Sequence, residues 1–289
     1  MDARGKIPSR RGGGSDKIRQ PNPIRQSEPM CPTPRPISPK DLHLVTGGKT
    51  VEGTGSANLL RSFDDDDQVF GHGGDDSISS GDGADQARGG QGHDTLDGGS
   101  GDDTLYGDEG NDELRGGEGR DTLWAGNGDD TVEGGAGGDF VMGDVGQDQI
   151  AGGAGDDSLA GGLGHDTLQG GEGNDLLWGG AQGWPDRAAD LLDGGSGDDE
   201  LLWRPGEGND TLDGGTGRDA LTMVGVTWQQ VVAGLELLTA GVNVQIGQGG
   251  FITFTNSAGQ PLGVSGTVTL GGETLTFRGI ETIRADGWS

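Results

Sequence analysis

One cysteine, Cys31, stands in 289 residues, so the chain has no internal disulfide framework. An extracellular chain without disulfides needs another staple, and metal ions are a standard one. Aromatic residues supply only 4% of the composition and hydrophobic residues 29%, too little for an ordinary globular core. No stretch approaches the ~18 apolar residues of a membrane-spanning helix. The basic N-terminus has no apolar h-region, so no cleaved secretory signal is visible. Low hydrophobicity with a net charge of -29 ordinarily means disorder. A regular repeat that binds a counter-ion is the main escape from that outcome.

What the chain has in abundance is glycine, 65 residues, and acid, 48 residues. Glycine loses the most backbone entropy on folding, so the fold needs an unusual source of stability. The charge is unevenly placed: residues 71–222 hold 35 acids against six arginines, equal to the charge of the whole chain. Such a field repels nucleic acid and anionic membranes and concentrates cations. Residues 1–40 are basic and proline-rich and read as a disordered leader. Residues 41–70 read as N-terminal transition strands, with Phe63 and Phe70 placed to cover an open end and Asp64–Asp67 as either a calcium-holding run or solvated carboxylates. Residues 223–289 read as a small β-rich cap, with helical spacing in TWQQVVAGLELLTA and strands at VNVQIG, FITFTN, GTVTL and ETLTFRGI.

From Gly71 a nine-residue period of the form G-G-x-G-x-D-x-U-x, with U apolar, tiles the chain to Trp178 and resumes after insertions. Units such as GGQGHDTLD, GGSGDDTLY and GGLGHDTLQ show it at full strength, and sixteen units span 71–222. The sixth position is never anything but aspartate: Asp76, Asp85, Asp94, Asp103, Asp112, Asp121, Asp130, Asp139, Asp148, Asp157, Asp166, Asp175, Asp190, Asp199, Asp210 and Asp219. The x-U-x triplet alternates like a short strand with one inward side chain, and the glycines permit tightly turned, left-handed backbone. Strand, turn, strand and turn make a coil of eighteen residues. Stacked coils give two parallel sheets around a thin core from Ile78, Leu96, Leu105 and Leu114 through Val132, Ile150 and Leu177.

That core does not hold the chain unaided, and stacking sets like-placed aspartates ~5 Å apart, where they repel by several kcal/mol per pair in a low dielectric. A hard dication between coils reverses the sign. Aspartate carboxylates and glycine carbonyls supply the six to eight oxygens that calcium takes, whereas magnesium prefers a tighter, hydrated octahedron. Two rows of eight units offer at most fourteen inter-coil gaps, enough for calcium to cancel nearly all of the -29.

The repeat resembles the RTX (repeats-in-toxin) calcium-binding nonapeptide over about residues 71–222. The resemblance implies a right-handed parallel β-roll that is disordered at low calcium and folds at extracellular calcium, commonly after type I secretion. It implies multiple calcium ions, with the position-six aspartates as ligands. Departures are Ala87 at a core position, Ser80 and Ala125 at the first glycine, and His72, Asp108 and Asp144 at the second.

Consecutive units alternate between sheets, so outward residues at position nine sort by face. One face is polar (Ser79, Asp97, Arg115, Glu133), and the other carries Tyr106, Trp124, Met142 and Trp178, with Phe140 from position seven. This aromatic stripe either packs under the cap or the Trp184 insertion, or docks a partner chain, a second copy or a ligand. His72, His93 and His165 fall at turn positions without zinc-site spacing, and no nucleophile elbow, phosphate loop or dinucleotide fingerprint occurs. The expectation is an all-β, non-enzymatic, secreted calcium-binding module with a structural or interaction role. The alternative is an accessory or truncated part of a larger RTX exoprotein, a hydrolase or toxin. A cytosolic calcium buffer fits less well, since extracellular-type sites bind at ~10⁻⁴–10⁻³ M.

Overall fold

The computed structural model describes residues 42–44, 49–180, 186–247 and 251–287. The expected leader over 1–40, the Trp184 insertion and the final Trp288 and Ser289 lie outside these residues. The described chain is a parallel β-solenoid of about nine turns with one short helix. Through the uninterrupted repeat each strand pairs in parallel with the strand one coil away, as Ser77↔Thr95 and Thr104↔Thr122 do, at an offset of eighteen residues.

The strands are longer than the x-U-x triplet predicts. Ser77–Asp82, Thr122–Asn127 and most of their neighbours run six residues, through positions seven to nine and on into positions one to three of the next unit. Glycine at position one reads as a turn residue, yet here it is a buried strand residue. Positions eight and one therefore both face inward, and the turn is confined to positions four to six. The position-eight side chains form one continuous stack, with Leu96, Leu105, Leu114, Leu123 and Leu168 fully buried. Ala87, the small residue among them, is fully buried too. Each coil contributes only two such side chains, each worth about 1.5–3 kcal/mol when buried.

The coil register runs back beyond the first clear repeat. Leu42–Leu44 pairs with Leu59–Arg61, and Thr50–Thr54 pairs with Gln68–Gly73. Val51, Leu60 and Val69 extend the buried stack. Phe63 and Phe70 do not cover an open end: Phe63 is 39% exposed, and Phe70 lies in register between Glu52 and Arg88 on the outside of a sheet.

At the other end, the helical spacing of TWQQVVAGLELLTA is realised only over Trp228–Gly234, and Leu235–Leu237 is a strand pairing antiparallel with Val268, Thr267 and Gly266. The helix stops at its glycine, where helix propensity is poor. The long strand Glu273–Ala285 pairs in parallel with both Thr211–Asp213 and Asp219–Met223, so it supplies the next coil of both sheets. Strands Val264–Leu270 and Phe251–Thr255 add to it in antiparallel fashion. Phe254, Phe277, Ile280 and Ile283 give this cap an apolar core continuous with the roll. The cap thus closes the end of the stack, and among the described residues Phe140 and Leu176 on the aromatic face stay exposed.

Candidate metal centre

The sixth-position aspartates form two ladders, one along each edge of the roll. Each backbone N–H donates to Oδ1 of the aspartate one coil further on: Asp76 to Asp94 at 2.7 Å, Asp94 to Asp112 at 2.8 Å, Asp103 to Asp121 at 2.8 Å. Both ladders continue through the insertions, from Asp166 to Asp190 and Asp175 to Asp199, and on to Asp210 and Asp219. All sixteen side chains are buried, with exposures of 1–4%. The bond to the neighbouring amide uses one carboxylate oxygen. In every consensus unit except that of Asp210, the other oxygen, Oδ2, is buried without a partner.

Burial of a charge without a partner is costly, and its trace is visible in the acidities. Burial raises the pKa of Asp76, Asp103, Asp112, Asp148, Asp157 and Asp219 to about 7 and that of Asp190 to about 8, partly offset by the ladder N–H. Asp121, Asp130, Asp166, Asp175 and Asp210 rise to about 6 for the same reason.

The orphan oxygens converge on a second donor. A Cβ added at Gly116 would lie 2.3 Å from Oδ2 of Asp121 and 2.5 Å from the carbonyl oxygen of Gly134 in the next coil. The same pair closes on Gly71 from Asp76 and Gly89, and on Gly143 from Asp148 and Gly161. Glycine is therefore favoured at position one because a carboxylate oxygen and a carbonyl oxygen occupy the volume of a side chain, and Ser80 and Ala125 are the departures. Among the described residues, no three acidic, histidine or cysteine side chains close on one point. A cation in these hollows would draw on one carboxylate per turn and on main-chain carbonyls. That oxygen-only donor set fits calcium and lacks the nitrogen and sulfur ligands of zinc.

Two further ladder members precede the consensus. Asn58 and Asp67 are both buried, and their N–H groups donate to Asp76 and Asp85. Of the run Asp64–Asp67, only Asp67 is buried, while Asp64, Asp65 and Asp66 are exposed. The nine-residue spacing alone could have found both positions, since glycines 53, 55 and 71 frame them. Glu281, far from the repeat, also joins a ladder by accepting the Asp219 N–H at 2.7 Å.

A second, outer ladder occupies position five and runs in the opposite sense. Oδ1 of Asp75 accepts the N–H of His93, Nδ1 of His93 accepts that of Asn111, and Oδ1 of Asn111 accepts that of Asp129. The turn histidines His93 and His165 are thus exposed, as expected, yet they act as structural acceptors. His72 instead faces Glu52.

On the faces, the register aligns Tyr106, Trp124, Met142, Ala160, Trp178 and Leu202 in one row. Tyr106 and Trp124 stack with ring centroids 4.8 Å apart and planes 4° from parallel, and Phe140 tilts against Trp124. Trp178 is held by Glu207, which accepts its indole N–H, and by Arg204 over its ring. The opposite face is polar, with Arg115 bridging Glu113 and Glu133.

The sequence model of the RTX calcium-binding nonapeptide repeat matches residues 47–182, 186–202 and 206–222 in overlapping copies, more than half of the chain. No curated protein matches the chain in a sequence comparison. The match begins near the first coils described above, ahead of the run that the consensus makes obvious. Its repeats bind calcium, in accord with the orphaned oxygens, and the chain belongs to the family of RTX calcium-binding nonapeptide-repeat proteins.

Proposed function

We propose that this chain is a secreted module that folds on calcium and serves a structural or interaction role, without catalytic chemistry of its own. The observation that carries this reading is the row of buried Oδ2 atoms without a partner, which at Asp76, Asp103, Asp121, Asp139, Asp148, Asp157, Asp166, Asp175 and Asp199 close on the same hollow as a glycine carbonyl of the next coil. The proposed ligands are the sixteen position-six aspartates, with Asp67 as an addition from the irregular first coils. Calcium supplies the positive charge that neighbouring carboxylates require. The chain's own part is to hold Oδ1 with an amide, aim Oδ2 inward, and exclude water through the stacked coils.

Neutralising several sites per roll is also what makes an extracellular setting apt. Weak sites of ~10⁻⁴–10⁻³ M fill outside the cell and stay empty at cytosolic calcium. In that setting the chain emerges unfolded and closes its ladders on arrival. Protection from protease in the presence of millimolar calcium, lost in chelator, is the expected result. Equal protection in both conditions contradicts the reading.

The aromatic face is the proposed interaction surface of the loaded module. An open groove of about 480 Å³ runs along it, lined by Phe140, Met142, Ala160, Leu176, Trp178 and Leu202, with Asp144 at its edge. Apolar walls with a carboxylate suit a partner segment that presents an apolar side chain next to a lysine or arginine. A leucine–lysine test peptide is expected to bind the calcium-loaded chain and to bind Met142→Ser, changed within the groove, several-fold more weakly. Equal binding at unchanged circular dichroism removes this surface.

A further inference from the structure

The ladder that carries Asp157, Asp175, Asp199 and Asp219 does not stop where the repeat stops. Asp199 donates its N–H to Oδ1 of Asp219 at 3.0 Å, and Asp219 in turn donates its N–H to Oε2 of Glu281 at 2.7 Å. Glu281 lies 62 residues further on, beyond the last nonapeptide, in the strand that forms the next coil.

The backbone makes a special arrangement for this residue. Asp219 pairs with Ile280 and Ala220 pairs with Thr282, so Glu281 is the extra residue of a bulge. A bulge re-aims a side chain without ending the pairing. Here it turns a glutamate toward the ladder, and the longer side chain spans the added distance. Its other oxygen, Oε1, lies against Gly263, where a Cβ would sit 2.6 Å away. The carboxylate is therefore held on both sides, by an amide and by a glycine hollow, as the aspartates are.

The second observation is Asp219 itself. It is 1% exposed, and its Oδ2 is buried without a partner. The two arginines nearest by are committed elsewhere, Arg218 to Asp198 and Arg284 to Glu200. A cleft of about 550 Å³ where the last coil meets the cap is lined in part by Asp199, Glu281 and Thr282, with these two arginines also on its wall.

We propose that Asp219 and Glu281 form a terminal calcium site outside the nonapeptide consensus, in which the cap supplies the carboxylate that the next coil supplies elsewhere. This rests on the reading of the repeats as the calcium-bearing rows. Its consequence is that the cap docks on the loaded end of the roll and is ordered by the last ion.

The test is Glu281→Gln in the full chain, with bound calcium counted by equilibrium dialysis against wild type. Glutamine keeps an oxygen that accepts the Asp219 N–H but carries no charge. The expected result is one ion fewer per chain, together with a several-fold rise in the calcium needed to protect residues 224–287 from protease. An unchanged count at unchanged protection overturns the site and leaves Glu281 a hydrogen-bonding cap. If Glu281→Gln does not fold in calcium, Glu281→Asp keeps the charge on a shorter side chain and is expected to fill the last site only at several-fold higher calcium than wild type; filling at the wild-type concentration overturns the site. A wild-type chain that binds no calcium would instead remove the reading of the repeats.

Discussion

Oδ1 of Asp112 accepts the backbone N–H of Asp94 across the boundary between two coils, while Oδ2 of Asp112 is buried with no partner. One carboxylate is thus divided between two tasks. Its first oxygen joins the protein to itself, and its second is left without a partner, as the proposed calcium site requires. The division repeats along both edges of the roll and accounts for the invariance of the sixth position.

Asp112→Asn separates the two tasks. The amide oxygen still accepts from Asp94, but the charge at the hollow is gone. Hydrogen bonds and contacts to a charged group are worth about 1.5–3 kcal/mol, so affinity at that site is expected to fall roughly ten- to a hundredfold. Calorimetric titration should show one weakened site with the remaining sites kept. Asp112→Ala removes both tasks and should cost more, because the Asp94 N–H also loses its acceptor.

Acidity provides a second handle in calcium-free protein. Burial raises Asp112 from the ordinary 3.8 to about 7 and Asp190 to about 8. A carboxyl whose folded pKa lies above its unfolded value binds protons more tightly when folded. Its contribution to stability is therefore full below 3.8 and is lost as pH rises through the folded values of about 6 to 8. In chelator, β-structure read by circular dichroism should increase as pH falls from 8 to 5. Loss of structure over that interval would run against the account. Calcium binding at neutral pH should release protons.

Ala125 stands where every strong unit has glycine, and it is fully buried. Its Cβ takes up the kind of volume in which, at Gly116, a carboxylate and a carbonyl oxygen converge. Ala125→Gly relieves crowding worth about 1–3 kcal/mol and gives back about 0.4–1 kcal/mol in chain entropy. The expected net is tighter calcium binding at the Asp130 turn by roughly 1 kcal/mol, a factor of about five. The reverse change, Gly116→Ala, should weaken the Asp121 turn. Both are read from the midpoint of calcium-induced folding.

His93 is an acceptor in the outer ladder, a role that aspartate fills at Asp75, Asp102 and Asp156. His93→Asp should leave stability in calcium nearly unchanged, and His93→Ala should cost about 0.5–1.5 kcal/mol in denaturant unfolding. A zinc-dependent change in wild type that both variants lose would contradict the structural role.

Much of this was legible in the sequence because the repeat writes each turn's chemistry at a fixed place. The inward stack from Ile78 to Leu177 and the alternation of a polar and an aromatic face follow from counting in nines. The parts that were not legible share a cause: one residue type serves two purposes. Glycine at position one looks like a turn signal but is a strand residue whose missing side chain makes room for Oδ2. The first coils kept the buried Val51 and Leu60 and the ladder residues Asn58 and Asp67 while losing most glycines, so the template faded before the fold did. Glu281 is invisible to any nine-residue count, since a bulge and not a spacing brings it to the ladder. Glu207, at an outward position in other units, is buried because the extra Trp203 and Arg204 shift its turn beneath Trp178.

The central claim is that calcium is a component of the fold. It is tested most directly by titrating calcium into chelated protein at pH 7.5, with circular dichroism and bound metal followed together. The account predicts little β-structure without calcium, then a cooperative gain of β-structure as many ions bind per chain. A chain already fully folded in chelator, or one that gains structure without taking up calcium, would contradict it.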